Sequence, residues 1–591
     1  MVIAEREVCR AEVTKRNFLD AIGRGELKET LTSSSPWVSV SMEIAFDQMP
    51  FTGGMGILEG DKLLQAEKSG VPFVVVTLAY SDRWRQRLEG FRQREDHQVL
   101  TPEALGLVRI AQTGIRANDN TIAVDICQQQ SGNVGIIALY EEGLRELYYG
   151  SNDDQHRLYQ EVVLGFGGQR ALDNPLLSLS PSVIHLNESA KVFSAVAYLD
   201  KLVSGGMSLA EALSATRAKT ILTNHTLVPA AVSTFSKDLY ERYVFKNIAS
   251  KEVEKWIEGM IDAKGGSLDL ATLALELAGR FNGVSRIHSE AASGQFRRFN
   301  ESAVQFEPIT NGIFMERWAD PRLLSLYRKS GIIDEFDLPS PDFGERIDHL
   351  DNWELGRIKG GAKNDLTQYL EKRVDQYGRS VQVPPNAKIA VWARRLAGYK
   401  RPGMVFENPQ ELAQILQDEN MYLIIAGKAH PTDWPMKDEL FRILNLVDNY
   451  PELRTRVDFV QDYDEELARH LVRGADIWLN TPKVGQEACG TSPLKAIASL
   501  TRVISTRDGG LADVDPPTYF EVKGEDYREE VDSLYFKLGQ VAAENNHHDV
   551  WAAAVKKQLK AYLPIISGGR MLREYIDFVF PREVTFQVEA A

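Results

Sequence analysis

Hydrophobic and polar positions alternate along this chain in two series, each reading strand, loop, helix, strand. The first opens with an apolar run at Trp37–Ile44 and a turn-rich loop, Asp47–Gly56, that holds Pro50, Gly53, Gly54 and Gly56. A helical pattern over Ile57–Ser69 and a strand-like run over Val71–Leu78 come next. That order predicts a βαβ unit and therefore a parallel sheet. Strand-like runs return at Val183–Leu186 and Thr220–Leu222, and helical spacing at Leu209–Ala218 and Ser267–Arg280. Residues 1–36 read as a charged lead-in closing in a Ser-rich stretch before Pro36. Pro308, Asn311 and Gly312 punctuate the middle, and the chain turns polar from Pro339 to Asp351. A second series then runs through Ala387–Trp392, Tyr422–Ala426, Val457–Val460, Asp476–Leu479 and Arg502–Ser505, all strand-like, with Gly- or Pro-containing loops and helical patterns between them. The expectation is an α/β protein of two doubly wound halves, residues 1–310 and 311–591, with a cleft between them. Ligands of open α/β sheets sit beyond the carboxyl ends of strands, so the loops after strands are where chemistry is sought.

Composition narrows the function classes. At 591 residues, 43% hydrophobic and 26% charged, the chain is of the globular type and long enough to bury a large core. Lys plus Arg number 68 against 83 Asp plus Glu, a formal charge of −15. That balance argues against coating nucleic acid or an anionic membrane, while leaving room for a local basic pocket. Three cysteines (Cys9, Cys127 and Cys489), none in a CxxC pair, predict a reducing, cytoplasmic setting. The charged start lacks the apolar core of a signal peptide, and the longest apolar run, around Val71–Ala79, is too short to span a bilayer.

Three loops carry candidate chemistry. Thr52–Ile57 places glycines ahead of a helix, where backbone N–H groups can approach an anion; it reads equally as a tight turn feeding a helix. Ala393–Pro402 packs Arg394, Arg395, Lys400 and Arg401 into eight residues after a strand, a setting suited to phosphate, or a solvated basic loop. Glu487–Lys495 joins a carboxylate, a glycine turn, two hydroxyls and a lysine at the border of an apolar helix. Desolvation would prepare Lys495 for imine chemistry; the bland alternative is an N-capped helix with a snorkelling lysine. The histidines of His185–Glu188 and Thr223–Thr226 end strand-like runs without metal-ligand spacing, so no metal is expected.

Taken in order, nine segments resemble the α-glucan (glycogen, starch or maltodextrin) phosphorylases of the short prokaryotic type. They are residues 41–45, 53–63, 185–188, 223–226, 310–318, 394–401, 426–433, 474–482 and 487–495, and the resemblance spans about residues 36–510. It implies a GT-B fold of two Rossmann-like domains, with the last helix able to cross back to the first. It also implies pyridoxal 5′-phosphate carried as an imine on Lys495, eight residues after Glu487. By the same resemblance Arg395, Lys400 and the backbone of Gly54 would grip phosphate. Arg394, Thr491, Ser492, Trp318, Tyr463 and Gly53 would line the cofactor, and His225, Asn311, Glu487, Cys489 and Gly490 would hold the glucosyl unit. The implied reaction moves glucose between an α-1,4-glucan or maltooligosaccharide and inorganic phosphate, with retention, giving glucose 1-phosphate. Neither nucleic acid nor membrane is an expected partner, and the oligomeric state is left open.

Several positions depart from the pattern. Cys489 stands in place of a serine, Pro493–Leu494 replaces the usual residues before the lysine, and Ala190 replaces a histidine. The acidic gate loop is only loosely matched by residues 152–157. These departures keep two other functions in view: a nucleotide-sugar glycosyltransferase on the same fold, and a non-catalytic glucan-binding homologue.

Overall fold

The apolar runs become the inner strands of two sheets. The computed structural model describes residues 17–148, 153–227 and 232–582. In chain order the first half contains β1 (Trp37–Val40), α1 (Gly54–Ser69), β2 (Phe73–Leu78), β3 (Asp82–Glu89), β4 (Arg92–Val99), β5 (Val108–Ala117), β6 (Asn120–Ser131), β7 (Val134–Tyr140), β8 (Val183–Asn187), β9 (Thr220–Asn224), β10 (Thr234–Ser236), β11 (Ser267–Asp269), β12 (Arg280–Gly283) and β13 (Glu307–Pro308). Nine of these strands form one sheet in the order β13-β12-β9-β8-β1-β2-β7-β6-β5. The strands from β13 to β7 run parallel, whereas β6 and β5 add an antiparallel edge. From β1 the chain builds first towards β2 and later towards β8, so the gap between β1 and β8 is the switch point of this sheet.

The second half contributes β14 (Lys388–Ala393), β15 (Met421–Ala426), β16 (Val457–Val460), β17 (Ile477–Asn480), α2 (Ser492–Ala498), β18 (Arg502–Thr506), β19 (Phe520–Val522) and, near the chain's end, α3 (Gly568–Val579). Its sheet is wholly parallel in the order β16-β15-β14-β17-β18-β19. Numbered by appearance that is 3-2-1-4-5-6, the dinucleotide-fold order, with its switch point between β14 and β17. β2 and β15 are buried along their whole length, which is why they read as unbroken apolar runs.

Three features differ from the sequence reading. The helical pattern over Ser267–Arg280 resolves into β11, a helix at Leu270–Leu277 and the start of β12, because Asp269 caps the helix and Ala278–Gly279 ends it. The lead-in is not merely charged: Phe18, Leu19, Leu27 and Leu31 are buried. Cys9 and Asn152, the first residue of the expected gate loop, lie outside the described residues. The third is a hairpin, β3–β4, turning at Gly90 and Phe91, both at positive φ as a two-residue turn requires. It leaves the first half and lies on the second. Gln86 Nε2 donates to Gly427 O at 2.9 Å, Gln93 Nε2 donates to Ala429 O at 2.8 Å, and Lys437 pairs with Glu95 at 2.8 Å.

α3 crosses in the opposite sense. It starts behind a Ser567 cap and packs Met571, Leu572, Tyr575, Ile576 and Phe578 into the cluster that contains Trp37, Phe73 and Ile221 of the first sheet. Arg24 of the lead-in, itself buried, pairs with Asp577 of α3 at 2.8 Å.

Candidate functional site

Both switch points face one another, and the loops leaving them make the site. The basic loop follows β14, and the Glu487–Gly490 turn follows β17. Lys400 Nζ lies 2.9 Å from Glu487 Oε2 and 3.2 Å from Oε1. Arg394 approaches the same carboxylate at 3.5 Å and donates to Ser492 Oγ at 3.4 Å. Gly490 is glycine because of this crowding: a Cβ there would sit 3.0 Å from Glu487 Oε1 and 3.2 Å from an Arg394 nitrogen. Burial alone would raise the Glu487 carboxyl, but Lys400 and Arg394 outweigh it and hold it below the usual range. Burial, with the Arg394 charge, pulls Lys400 down to about 7 against the attraction of Glu487.

From the first half, the loop after β1 brings the glycine turn to the same place. A Cβ on Gly53 would lie 4.0 Å from Arg395 Nε, so the two halves already meet here. Arg395 has no ion-pair partner among the described residues. The turn itself holds a surprise for the sequence reading. Glu43 accepts from Thr52 N, Thr52 Oγ1, Gly53 N and Gly56 N at 2.7–3.2 Å, so Gly53 spends its N–H on an internal carboxylate. Gly54, the first residue of α1, is exposed and has open space where a Cβ would point.

Lys495 is buried in α2, and its Nζ sits 3.5 Å from the centroid of the Trp318 ring. No oxygen accepts from it among the described residues. Burial pushes the amine down to about 8. Thr491 makes no capping bond with its side chain, and Tyr463 packs against the core cluster that contains Trp318. Asn311 donates to Cys489 O at 3.4 Å, while its Oδ1 is buried without a partner. His225 stands apart from Glu487: its N–H donates to Glu188 at 2.6 Å, its Nε2 is buried and unpartnered, and burial holds it well below the usual histidine range. Ala190 is buried near this loop. Among the described residues no group of three or more His, Cys, Asp or Glu is placed to hold a metal.

This donor set can be tested against an aldehyde cofactor bearing a phosphate. A neutralisable amine with no acceptor, an aromatic face beside it and a buried Arg394 Nε lacking any partner fit such a group. The profile of the carbohydrate phosphorylases matches residues 176–516. The chain belongs to the carbohydrate phosphorylase family. A glycogen phosphorylase of Mycobacterium tuberculosis is 29% identical over 94% of this chain and 72% of its own length. A glycogen phosphorylase of Aquifex aeolicus is 28% identical over 92% of this chain and 86% of its own. A maltodextrin phosphorylase of Thermococcus litoralis is 27% identical, covering 89% and 68%.

Within this phosphorylase, several site residues went unnoticed in the sequence: Glu43, Asp61, Glu188, Lys191 and Arg317. Glu43 and Asp61 lie inside the family-like segments, and the seven-residue step from Gly54 to Asp61 is the one signal that places both on a single helix face. Among the described residues no helix is long and apolar enough to cross a membrane. Cys127 and Cys489 are free thiols.

Proposed function

We propose that this phosphorylase transfers the terminal glucosyl unit of an α-1,4-glucan to inorganic phosphate, with retention, giving glucose 1-phosphate. The observation that carries the reading is the Lys495 amine, buried without an oxygen acceptor on the face of Trp318. Lys495 would hold pyridoxal 5′-phosphate covalently, with Arg394, Thr491, Ser492, Trp318, Tyr463 and the Gly53 turn around it. When bound, that cofactor supplies a phosphate group able to exchange a proton with the substrate phosphate.

The chain's own residues do the rest. Arg395 and Lys400 hold the substrate phosphate with the Gly54 N–H, and the burial of Lys400 makes its charge count for more. Glu487, kept ionised, fixes Lys400 and offers acceptor oxygens to sugar hydroxyls. Asn311 Oδ1 and the neutral His225 Nε2 are further unsatisfied atoms suited to the same hydroxyls. Cys489 supplies a weak thiol donor beside Gly490. We read residues 1–310 as the glucan- and phosphate-side domain and residues 311–591 as the cofactor-side domain, with α3 packed on the former. Free thiols at both described cysteines, Cys127 and Cys489, are in keeping with our reading of a cytoplasmic enzyme.

The test is direct. Purified protein given maltoheptaose and phosphate should release glucose 1-phosphate, and borohydride reduction should leave a pyridoxyl mass on the peptide containing Lys495. A protein that takes up no cofactor after reconstitution and forms no glucose 1-phosphate would overturn the reading.

A further inference from the structure

Gly54 and Asp61 lie two turns apart on one face of α1. The glycine opens to the cleft, while Asp61 is buried against residues of the second half. Its carboxylate accepts from Trp318 Nε1 at 3.0 and 2.8 Å and from an Arg317 nitrogen at 3.0 Å. Arg317 continues to Glu465 at 2.8 Å and to Ala45 O at 2.8 Å. Trp318 turns its other surface, the ring face, to Lys495. Asp61 is therefore one side chain away from the amine, yet it comes from the helix that carries the glycine turn.

A carboxylate bonded to an indole N–H fixes the plane of the ring and adds electron density to it. Both effects strengthen the hold of the ring face on an ammonium. We propose that Asp61 is a positioning residue for Lys495, setting through Trp318 where the amine points and through its own charge how readily that amine loses its proton. The inference rests on the cofactor assignment above and adds a residue to it. A purely structural Asp61, present only to neutralise Arg317, would leave the chemistry of Lys495 unaltered.

The charged groups facing the amine are Asp61, Arg317 and Glu465. Asp61→Asn keeps an acceptor for the indole N–H and removes the charge; Trp318→Phe keeps a ring and removes the N–H. Each full-length variant, stripped of cofactor, is incubated with pyridoxal 5′-phosphate over a pH series, reduced with borohydride, and the Lys495 peptide weighed. In Asp61→Asn the amine lacks an attracting anion, so the midpoint of modification should fall by about half a pH unit or more. In Trp318→Phe modification should slow several-fold, and the midpoint should fall by less than in Asp61→Asn. A midpoint in Asp61→Asn equal to that of the wild type overturns the inference. Where Asp61→Asn fails to fold, an unaltered rate in Trp318→Phe overturns it instead. A wild-type protein unmodified at Lys495 overturns the cofactor assignment and this inference together, whereas normal wild-type modification with unmoved variants overturns this inference alone.

Discussion

Lys400 and Glu487, 87 positions apart in the chain, form a buried ion pair at 2.9 Å at the switch point of the second sheet. The pair couples the phosphate side of the site to the sugar side. Lys400→Ala should therefore damage both, raising the KM for phosphate and weakening glucose 1-phosphate, because Glu487 is left buried with Arg394 alone. Arg395→Ala should raise the KM for phosphate by roughly tenfold or more, and weaken glucose 1-phosphate through the same phosphate group. Initial rates in both directions check this; wild-type phosphate dependence in both variants would make the loop a solvated surface and contradict the assignment.

The same pair sets a pH dependence. With Lys400 pulled down to about 7, the cation is present below that pH and lost above it. Phosphate affinity should weaken as pH climbs through 7, beyond the change due to phosphate itself. Lys400→Arg does not titrate in this range, so its profile should be flatter than the wild type's. Parallel profiles would remove Lys400 from phosphate binding.

Cys489 is expected to be chemically quiet. Burial, together with the Asp513 charge, pushes its thiol up to about 12, so native protein should resist alkylation there at pH 8, with reaction only after unfolding. Cys489→Ser should fold normally and bind glucose 1-phosphate more tightly, by up to about 1.5 kcal/mol, the worth of one neutral hydrogen bond. Weaker binding would mean that the sugar is held by other atoms.

Lys191 is fully buried, and among the described residues its nearest hydrogen-bond contact is the Met55 sulfur at 3.9 Å. Burial lowers it from an ordinary 10.5 to about 8, against the pull of Glu188, Glu161, Glu43 and Glu59. Below pH 8 the folded protein bears the whole cost of the buried charge. Between about 8 and 10.5 the unfolded chain holds a proton that the folded one has released, so wild-type stability rises with pH there. Lys191→Met should abolish that rise with pH, while leaving Glu188 and Glu161 buried without the cation that holds their carboxyls down. Urea titrations of both proteins at two pH values check the sign.

The β3–β4 hairpin should depend on its polar contacts with the second half. Gln86 is buried; it donates to Gln93 and to Gly427 O, and accepts from Asp462 N at 3.0 Å. Gln86→Leu orphans the Gly427 carbonyl and the Asp462 N–H, while Gln93 Oε1 keeps the Ala429 N–H, and should cost about 2–4 kcal/mol. Limited proteolysis should then cut within residues 82–99, where the wild type resists.

The parallel strands were legible because they are buried on both faces, as Phe73–Leu78 and Met421–Ala426 illustrate. β5 and β6 were not, because exposed polar residues such as Arg109, Gln112 and Arg116 of β5 and Asn120 and Thr121 of β6 break the apolar run. The β3–β4 hairpin was invisible for a related reason: its polar side chains find partners on the other half, and nothing local in residues 82–99 announces them. In the site, the basic loop and the Glu487–Lys495 turn stood out as clustered charge after strands. Asp61 did not, since its step from Gly54 places it on a helix face but says nothing of its role until its partner Arg317, 256 residues on, is known.

The return of α3 to the first sheet has a consequence for the order in which the protein can be made. Trp37, Phe73 and Ile221 share an apolar cluster with Met571, Tyr575 and Ile576, so the earlier residues emerge from the ribosome with part of their covering still unmade. Domains released during synthesis ordinarily fold in turn, first half before second. Here the first half must wait, its apolar face open, until translation has passed residue 578. A chaperone that shields that surface during elongation would act on this chain until α3 has been made.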